Sequence, residues 1–276
     1  MKISAATVMN VLHELKDFNE TFTSVARRHN ISSTSVCSIF DFHVQLSRTK
    51  LPEVLSIDQV YAFHSPSSKY VCVLLDFINQ IPVDILIERK FDYLFSYFLN
   101  IPSEEREKAK VICTDMYEPY RQIARKVFPH AYHAVDHFHV SQEMHRQISS
   151  LRFRIMKKYK PGEDEYYLLK KFNWMLFKDP YDNLFDPNCE RKYNQHFKQY
   201  LNYYEIREKL LETDSVIEQV YRLKEEFRSF YSQNDLKSAP ENINTLIQDF
   251  LTSEIDEMEK FVHTMIKWKM RSSIHL

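Results

Sequence analysis

Apolar residues recur at steps of three and four up to about residue 43, which is the spacing of one face of an α-helix. Val8, Leu12 and Leu15 mark one such face, and Phe22 and Val25 begin another. The pattern therefore predicts short helices in this first segment.

Two of these helices predict a helix-turn-helix. Residues 21–30 offer a threonine cap and a short helix, and Asn30 suits the left-handed turn that usually falls to glycine. Residues 32–40 start a second helix with hydroxyl caps, on which Val36 and Ile39 face back toward the first. The side chains then available for a DNA groove and its phosphates are Arg27, Arg28, Ser33, Thr34, Ser35 and Ser38. The alternative is a plain two-helix packing unit.

From residue 51 the pattern changes to that of strands. Residues 54–63 alternate between apolar and polar positions, and residues 70–77 form a nearly continuous apolar run. A third strand is predicted at residues 82–87, after a short polar turn. Three consecutive strands joined by tight turns predict an antiparallel meander.

Strands and helices alternate after this meander. An amphipathic helix at 92–99 is followed by a strand at 110–114, a helix at 118–128, a strand at 131–135 and a long helix at 140–159. Such alternation requires parallel pairing through right-handed crossovers. Three antiparallel strands, a helix and then alternating strands and helices are the element order of the ribonuclease-H-like fold. The predicted class is therefore α/β, with a mixed sheet and flanking helices.

Beyond Pro161 the strand signals disappear, and the rest of the chain is predicted to be all helix. The prediction thus has three parts. They are a helix-turn-helix segment at 1–48, a ribonuclease-H-like core at 49–160 and a helical region at 161–276.

Composition narrows the classes of function. The chain has 276 residues, of which 44% are hydrophobic, and is expected to be globular. Its net charge of −1 means that any DNA contact relies on local patches. The single glycine, Gly162, excludes glycine-rich phosphate loops. Four scattered cysteines indicate a reduced cytoplasm, and no apolar run approaches the roughly 20 residues of a membrane span.

Two aspartates fall where this fold would bring them together. Asp58 lies in the first strand and Asp115 ends the fourth, and these strands are neighbours in the predicted order. Converging carboxylates on rigid strands suit divalent ions that activate a water or 3′-hydroxyl in phosphodiester displacement. Mg²⁺ or Mn²⁺ is the expected occupant, because oxygen ligands favour hard ions. For either aspartate alone, a strand-end cap or a surface charge is the alternative.

A second dense signal spans residues 134–140, between the fifth strand and the long helix. Asp136 is expected to cap that helix, and His139 to turn toward the metal edge. The long helix also collects basic residues that are candidates for a DNA backbone groove, with a solvated helix face as the alternative. Those candidates are Arg152, Arg154, Lys157 and Lys158.

With these pieces placed, the sequence resembles the DDE transposases of bacterial insertion sequences, specifically the ISL-three group. That group carries I-D-E-F in a strand, an aspartate after the fourth strand and D-x-F-H after the fifth. The corresponding motifs here begin at Ile57, Thr114 and Asp136, and the resemblance covers about residues 21–159. It implies that Asp58 and Asp115 bind metal, that residues after 161 are a helical insertion, and that the chain cleaves and joins DNA ends.

The resemblance also implies self-association on paired DNA ends, at the nucleoid of a bacterial cytoplasm. Three departures from the family pattern are visible. Gln59 and Val60 replace the usual Glu-Phe, a change expected to be harmless because strand neighbours face away from Asp58. No residue after Trp268 resembles the third catalytic carboxylate, a glutamate. An N-terminal zinc module, typical of full-length relatives, is also missing.

The sequence therefore predicts a truncated transposase with impaired activity. The alternative is a DNA-binding remnant that regulates an intact element without chemistry. An unrelated metal nuclease of the same fold is a third reading, and it needs a final acid that the sequence does not display. Glu254, Glu257 and Glu259 are available acids, but they lie on an ordinary amphipathic helix.

Overall fold

The structure is a computed structural model that describes residues 3–17, 19–44, 48–61, 69–233 and 239–269. The chain forms two compact units, Met1–Thr49 and Lys50–Leu276, which are described separately. Within the described ranges, every helix is too short or too polar to cross a bilayer. Positions 62 and 63 of the predicted first strand, and 270–276 of the predicted helical region, lie outside these ranges.

The first unit contains three helices, α1 (Ala5–Glu14), α2 (Phe22–Arg28) and α3 (Ser33–His43). The Thr21 hydroxyl accepts the Ser24 N–H at 3.1 Å and starts α2, while Ser32 caps α3 in the same way. Asn30 has φ 52°, the left-handed conformation expected for the turn between them. The buried core of the unit consists of Val11, Val25, Ala26, Val36 and Ile39. Both predicted helices and their turn are therefore present.

The second unit is built on a five-stranded mixed sheet. Its strands are β1 (Val54–Tyr61), β2 (Tyr70–Asp76), β3 (Ile81–Leu86), β4 (Val111–Thr114) and β5 (Tyr132–Val135). The spatial order is β3-β2-β1-β4-β5. The three strands β1, β2 and β3 pair antiparallel, whereas β4 pairs parallel with both β1 and β5. This confirms the predicted ribonuclease-H-like fold.

Three helices follow the chain between β3 and β5: α4 (Phe91–Leu99), α5 (Ser103–Arg106) and α6 (Glu118–Val127). The predicted alternation in β1 is confirmed, because Leu55 and Ile57 are fully buried while their neighbours in the strand are partly exposed. These two side chains share a core with Leu94 of α4 and Ile123 of α6. One face of the sheet is therefore covered by these helices.

A long helix, α7 (His137–Met156), follows β5 and begins three residues before its predicted start. Its early start follows from the Asp136 cap. The helices beyond it are α8 (Asp164–Lys171), α9 (Tyr203–Leu211), α10 (Ser215–Gln233), α11 (Ala239–Thr252) and α12 (Asp256–Lys269). Two short 3₁₀ turns, Asn173–Leu176 and Asn183–Phe185, lie between α8 and α9.

The expectation that residues after 161 are entirely helical is wrong at one place. A small antiparallel hairpin, β6 (Lys192–Asn194) and β7 (Gln199–Leu201), lies before α9. Its turn includes Lys198 at φ 54°, a conformation that usually signals glycine or asparagine in a sequence. Tyr193 and Tyr200 pair across the strands with ring centres 5.3 Å apart, which stabilises the hairpin.

Helix α7 supplies one side of the helical core. Met144, Ile148, Leu151 and Ile155 recur at steps of four, three and four, and each is at most 2% exposed. They pack among the buried residues of α8 to α12. The long helix is therefore shared between the sheet, at its first residues, and the helical region along its length.

Candidate active site

Two aspartates lie at neighbouring positions where β1 and β4 stop pairing. The last registered pair of these parallel strands is Ile57 with Thr114, so Asp58 and Asp115 follow it side by side. β4 ends at Thr114, whereas β1 continues to Tyr61. The two carboxylates therefore meet at one edge of the sheet.

Asp115 is held by donors on both of its oxygens. Oδ1 accepts the backbone N–H of Tyr117 at 3.0 Å, and Oδ2 accepts the side-chain amide of Gln59 at 3.1 Å. The residue is only 5% exposed, and this burial raises the pKa of its carboxyl to about 6, with the nearby His139 working in the opposite direction. Asp115 is thus rigid and costly to keep charged unless a cation is close.

His139 reaches the same edge from the start of α7. The Asp136 side chain accepts the Phe138 N–H at 2.8 Å, which caps the helix and sets the direction of its first turn. His139 Nε2 then lies 3.6 Å from Asp58 Oδ1. Interaction with His139 lowers the pKa of Asp58, and the same contact raises the pKa of His139. Asp136 acts here through the helix rather than through the cluster.

Asp58, Asp115 and His139 form a group of potential metal ligands. One ligand atom from each lies within 4.8 Å of the other two. The Asp58 side chain is 47% exposed, so the group opens to solvent on one side. Two carboxylates and an imidazole fit a divalent cation, with Mn²⁺ and Mg²⁺ matching the oxygen donors and imidazole favouring the former.

The change at Gln59 was expected to be harmless because this residue faces away from Asp58, but its side chain contacts the other acid, Asp115. β1 extends past the end of β4, so the Gln59 side chain lies over the strand end and donates to Asp115 Oδ2. Its Oε1 accepts a hydrogen bond from Arg89. Sequence reasoning missed Arg89 altogether. The available signal was a polar residue at a position of β1 that shares its face with Leu55 and Ile57.

A second polar contact lies behind the site. The Thr114 hydroxyl hydrogen-bonds the Asp115 carbonyl oxygen and His133 Nε2, both at 2.8 Å. His133 is 6% exposed, and this burial lowers its pKa to about 4. A neutral imidazole therefore supports the turn that carries Asp115.

The acids of the last helices do not join this group. Glu257 receives two hydrogen bonds from Arg154, at 2.9 and 2.7 Å. Glu259 lies 3.3 Å from His263 on the same helix, and Glu254 sits in a left-handed turn at φ 56°. Among the residues that the structure describes, the metal-ligand group contains two carboxylates and no third.

The predicted basic groove on α7 needs correction. Arg152 is 7% exposed and donates a hydrogen bond to the Leu169 carbonyl at 2.7 Å. The prediction that this side chain contacts DNA is therefore wrong. Arg154 pairs with Glu257, and Lys158 pairs with Asp214 at 2.9 Å, which ties both cations to the helical region. Lys157 is exposed.

The helix-turn-helix candidates also divide into two groups. The exposed ones are Arg27, Arg28, Ser33, Thr34 and Ser38, and of these only Arg28 is held in ion pairs with described residues. Arg28 pairs with Glu14 at 2.9 Å, which ties α2 to α1, and with Glu20 at 2.7 Å, just before α2. Ser35 is engaged by the capping residue Ser32. The polar face of α3 therefore consists of Ser33, Thr34 and Ser38.

A ribonuclease-H-like sheet with one acid on its first strand and another directly after its fourth is the arrangement of DDE-domain proteins. The sequence profile of the ISL3 transposases matches residues 55–273, most of the chain. The chain therefore belongs to the ISL3 family of DDE transposases. No curated protein gives a significant match.

Proposed function

We propose that the chain carries the DNA-cleaving and DNA-joining site of an insertion-sequence transposase, with Asp58, Asp115 and His139 holding a divalent cation. The observation that carries this proposal is the approach of their ligand atoms to within 4.8 Å on rigid elements. Divalent cations, when bound, supply activation of a water or 3′-hydroxyl and neutralisation of the leaving oxygen, by the two-metal chemistry of this class. Mg²⁺ or Mn²⁺ is the proposed cofactor.

The protein's own residues divide the remaining work. Asp115 is fixed by its two donors and offers its other lone pairs to the cation. Asp58 faces solvent, where the DNA backbone would arrive. His139 is positioned by the α7 cap, and its Nε2 lies 3.6 Å from Asp58 Oδ1. Exposed Arg27, with the polar face of α3, is proposed to contact DNA.

A plasmid-nicking assay tests the catalytic proposal. Supercoiled DNA carrying the element ends is incubated with the full chain and either Mg²⁺ or Mn²⁺. We expect nicking by the wild type and loss of at least 100-fold in Asp58→Asn, since a metal ligand is removed. Asp92→Asn, an exposed aspartate at the start of α4, is the matched control and keeps the activity. Equal nicking by Asp58→Asn would overturn the site.

A second candidate is a DNA-binding protein that regulates an intact element without chemistry. The observation in its favour is that the described metal-ligand group has two carboxylates, while Glu257 is occupied by Arg154. This function predicts specific binding to element ends that survives Asp58→Asn and is weakened by Arg27→Ala. Lys16→Ala removes an equal charge from an exposed position in the same unit and serves as control.

Self-association belongs to the transposase proposal, because paired DNA ends require more than one copy. Sedimentation velocity of the full chain, with and without end DNA, measures it. Assembly of two or more copies on DNA is the expected result. A complex containing one copy at saturating DNA would contradict this part of the proposal.

A further inference from the structure

Arg89 lies just beyond β3 and is held by two aromatic rings. Its guanidinium carbon is 4.3 Å from the ring centre of Tyr70 and 4.6 Å from that of Tyr117. Such cation–π contacts are each worth about 0.5–1 kcal/mol or more, and they limit the orientations of the planar group. Tyr117 also provides the backbone N–H that binds Asp115. Arg89 is therefore tied to the turn that carries this carboxylate.

The guanidinium determines which way the Gln59 amide points. Arginine has donors and no acceptor, so it requires the amide oxygen of Gln59, and the hydrogen bond from Arg89 ends on Oε1. Nε2 is then left to face Asp115 Oδ2, at 3.1 Å. Flipping the amide would set its NH₂ group against a cation and its oxygen against a carboxylate. Each of the two contacts therefore favours the amide orientation that the other one requires.

Asp115 receives one donor on each oxygen as a result. With Tyr117 on Oδ1 and Gln59 on Oδ2, rotation of the carboxylate breaks a hydrogen bond whichever way it turns. Groups that hydrogen-bond a metal-binding residue without touching the ion orient that residue and raise its affinity for the ion. We infer that Arg89 and Gln59 are positioning residues for cation binding: Arg89 fixes the Gln59 amide, and the amide orients Asp115.

This inference rests on the proposed role of Asp115 as a metal ligand. The first test titrates Mn²⁺ into the full chain and measures free Mn²⁺ by electron paramagnetic resonance. Gln59→Met and Arg89→Met should each weaken binding about tenfold, the lower end of the usual effect of such supporting groups. Arg89→Lys keeps a donor and a charge and should recover most of the affinity. Lys90→Met, the adjacent and largely exposed cation, is the matched control and should bind as the wild type does.

The double variant separates positioning from a general structural role. If Arg89 acts through Gln59, Gln59→Met with Arg89→Met binds Mn²⁺ no more weakly than either single variant. Additive losses, or unchanged affinity in Arg89→Met, would overturn the inference.

A second readout does not need a metal. In ¹⁵N-labelled protein, the Gln59 side-chain NH₂ signals are assigned by their loss in Gln59→Met. We expect them to shift and to exchange faster with water in Arg89→Met and Asp115→Asn, and to stay in place in Lys90→Met. Signals indifferent to both Arg89→Met and Asp115→Asn refute the relay. Wild-type protein that binds Mn²⁺ no better than Asp58→Asn, with the expected amide shifts, refutes the metal site and leaves the relay intact.

Discussion

Replacing Arg154 by methionine tests whether this side chain serves the fold or the DNA. Arg154 on α7 donates two hydrogen bonds to Glu257 on α12, whose side chain is 6% exposed. Removing one partner of a buried pair costs about 3–5 kcal/mol, because it leaves a charge buried and unpaired. The Arg154 side chain is 51% exposed, so water can partly replace it. We therefore expect Arg154→Met to lower the free energy of unfolding by about 2 kcal/mol.

Urea unfolding followed by tryptophan fluorescence measures this loss. Both tryptophans, Trp174 and Trp268, lie in the second unit, so the signal reports on it alone. Lys157→Met, at the exposed position directly after α7, is the control, since a surface substitution usually changes stability by less than about 0.5 kcal/mol.

A double substitution removes the buried carboxylate as well. Arg154→Met with Glu257→Met should regain most of the lost stability, because two apolar side chains can replace a buried pair. The pair also has a pH signature. Arg154 lowers the pKa of Glu257, so its stabilisation is present above the usual carboxyl pKa and is lost as the pH falls through the lowered one. An Arg154→Met variant with wild-type stability and weaker DNA binding would refute the structural role.

Three further predictions concern other parts of the molecule. Burial lowers the pKa of His133 to about 4, so the unfolded chain binds a proton that the folded one excludes, and stability attributable to His133 falls by about 3 kcal/mol as the pH drops from about 6.5 to 4. Asp115, with its pKa raised to about 6, gives the free energy of unfolding the opposite dependence on pH in this range. The quantity to measure is therefore the difference in that free energy between wild type and His133→Gln. A difference that does not change with pH contradicts the assignment. Asp136→Ala removes the cap of α7 and should cost about 1 kcal/mol in urea unfolding, with Asp136→Asn close to wild type; equal losses in both would exclude capping as the cause. Val36→Ala, at a fully buried position of α3, should speed hydrogen exchange throughout α2 and α3, whereas Ser38→Ala on the exposed face should not.

The sheet was predictable because its signals are local. Alternation in β1, apolar runs in β2 and the strand–helix repeats after β3 are written in consecutive residues, and the fold leaves few ways to connect them. The approach of Asp58 to Asp115 follows from that order without further information, because the end of β4 lies beside β1. The α7 cap was also readable, since Asp136 stands directly before the helix.

The contacts that the sequence did not reveal mostly join residues that are far apart along the chain. The Gln59 contact requires knowing how far β1 extends past β4, and its partner Arg89 is 30 residues away. Arg154 has no evident partner in the sequence, because Glu257, which accepts its hydrogen bonds, is 103 residues further along the chain. The β6–β7 hairpin was missed because its strands have three residues each and its turn uses Lys198 rather than glycine.

The length of α7 has a consequence for how this protein can be divided and how it can evolve. Its 20 residues span about 30 Å, so one helix carries His139 at its first turn and an apolar stripe along the rest. A fragment ending at residue 160 would place that stripe, including Met144 and Leu151, in water. Because α7 carries His139 and also packs against α8 to α12, insertions or deletions in these five helices are constrained by the position of that histidine. Their sequences can change only in ways that keep α7 in place.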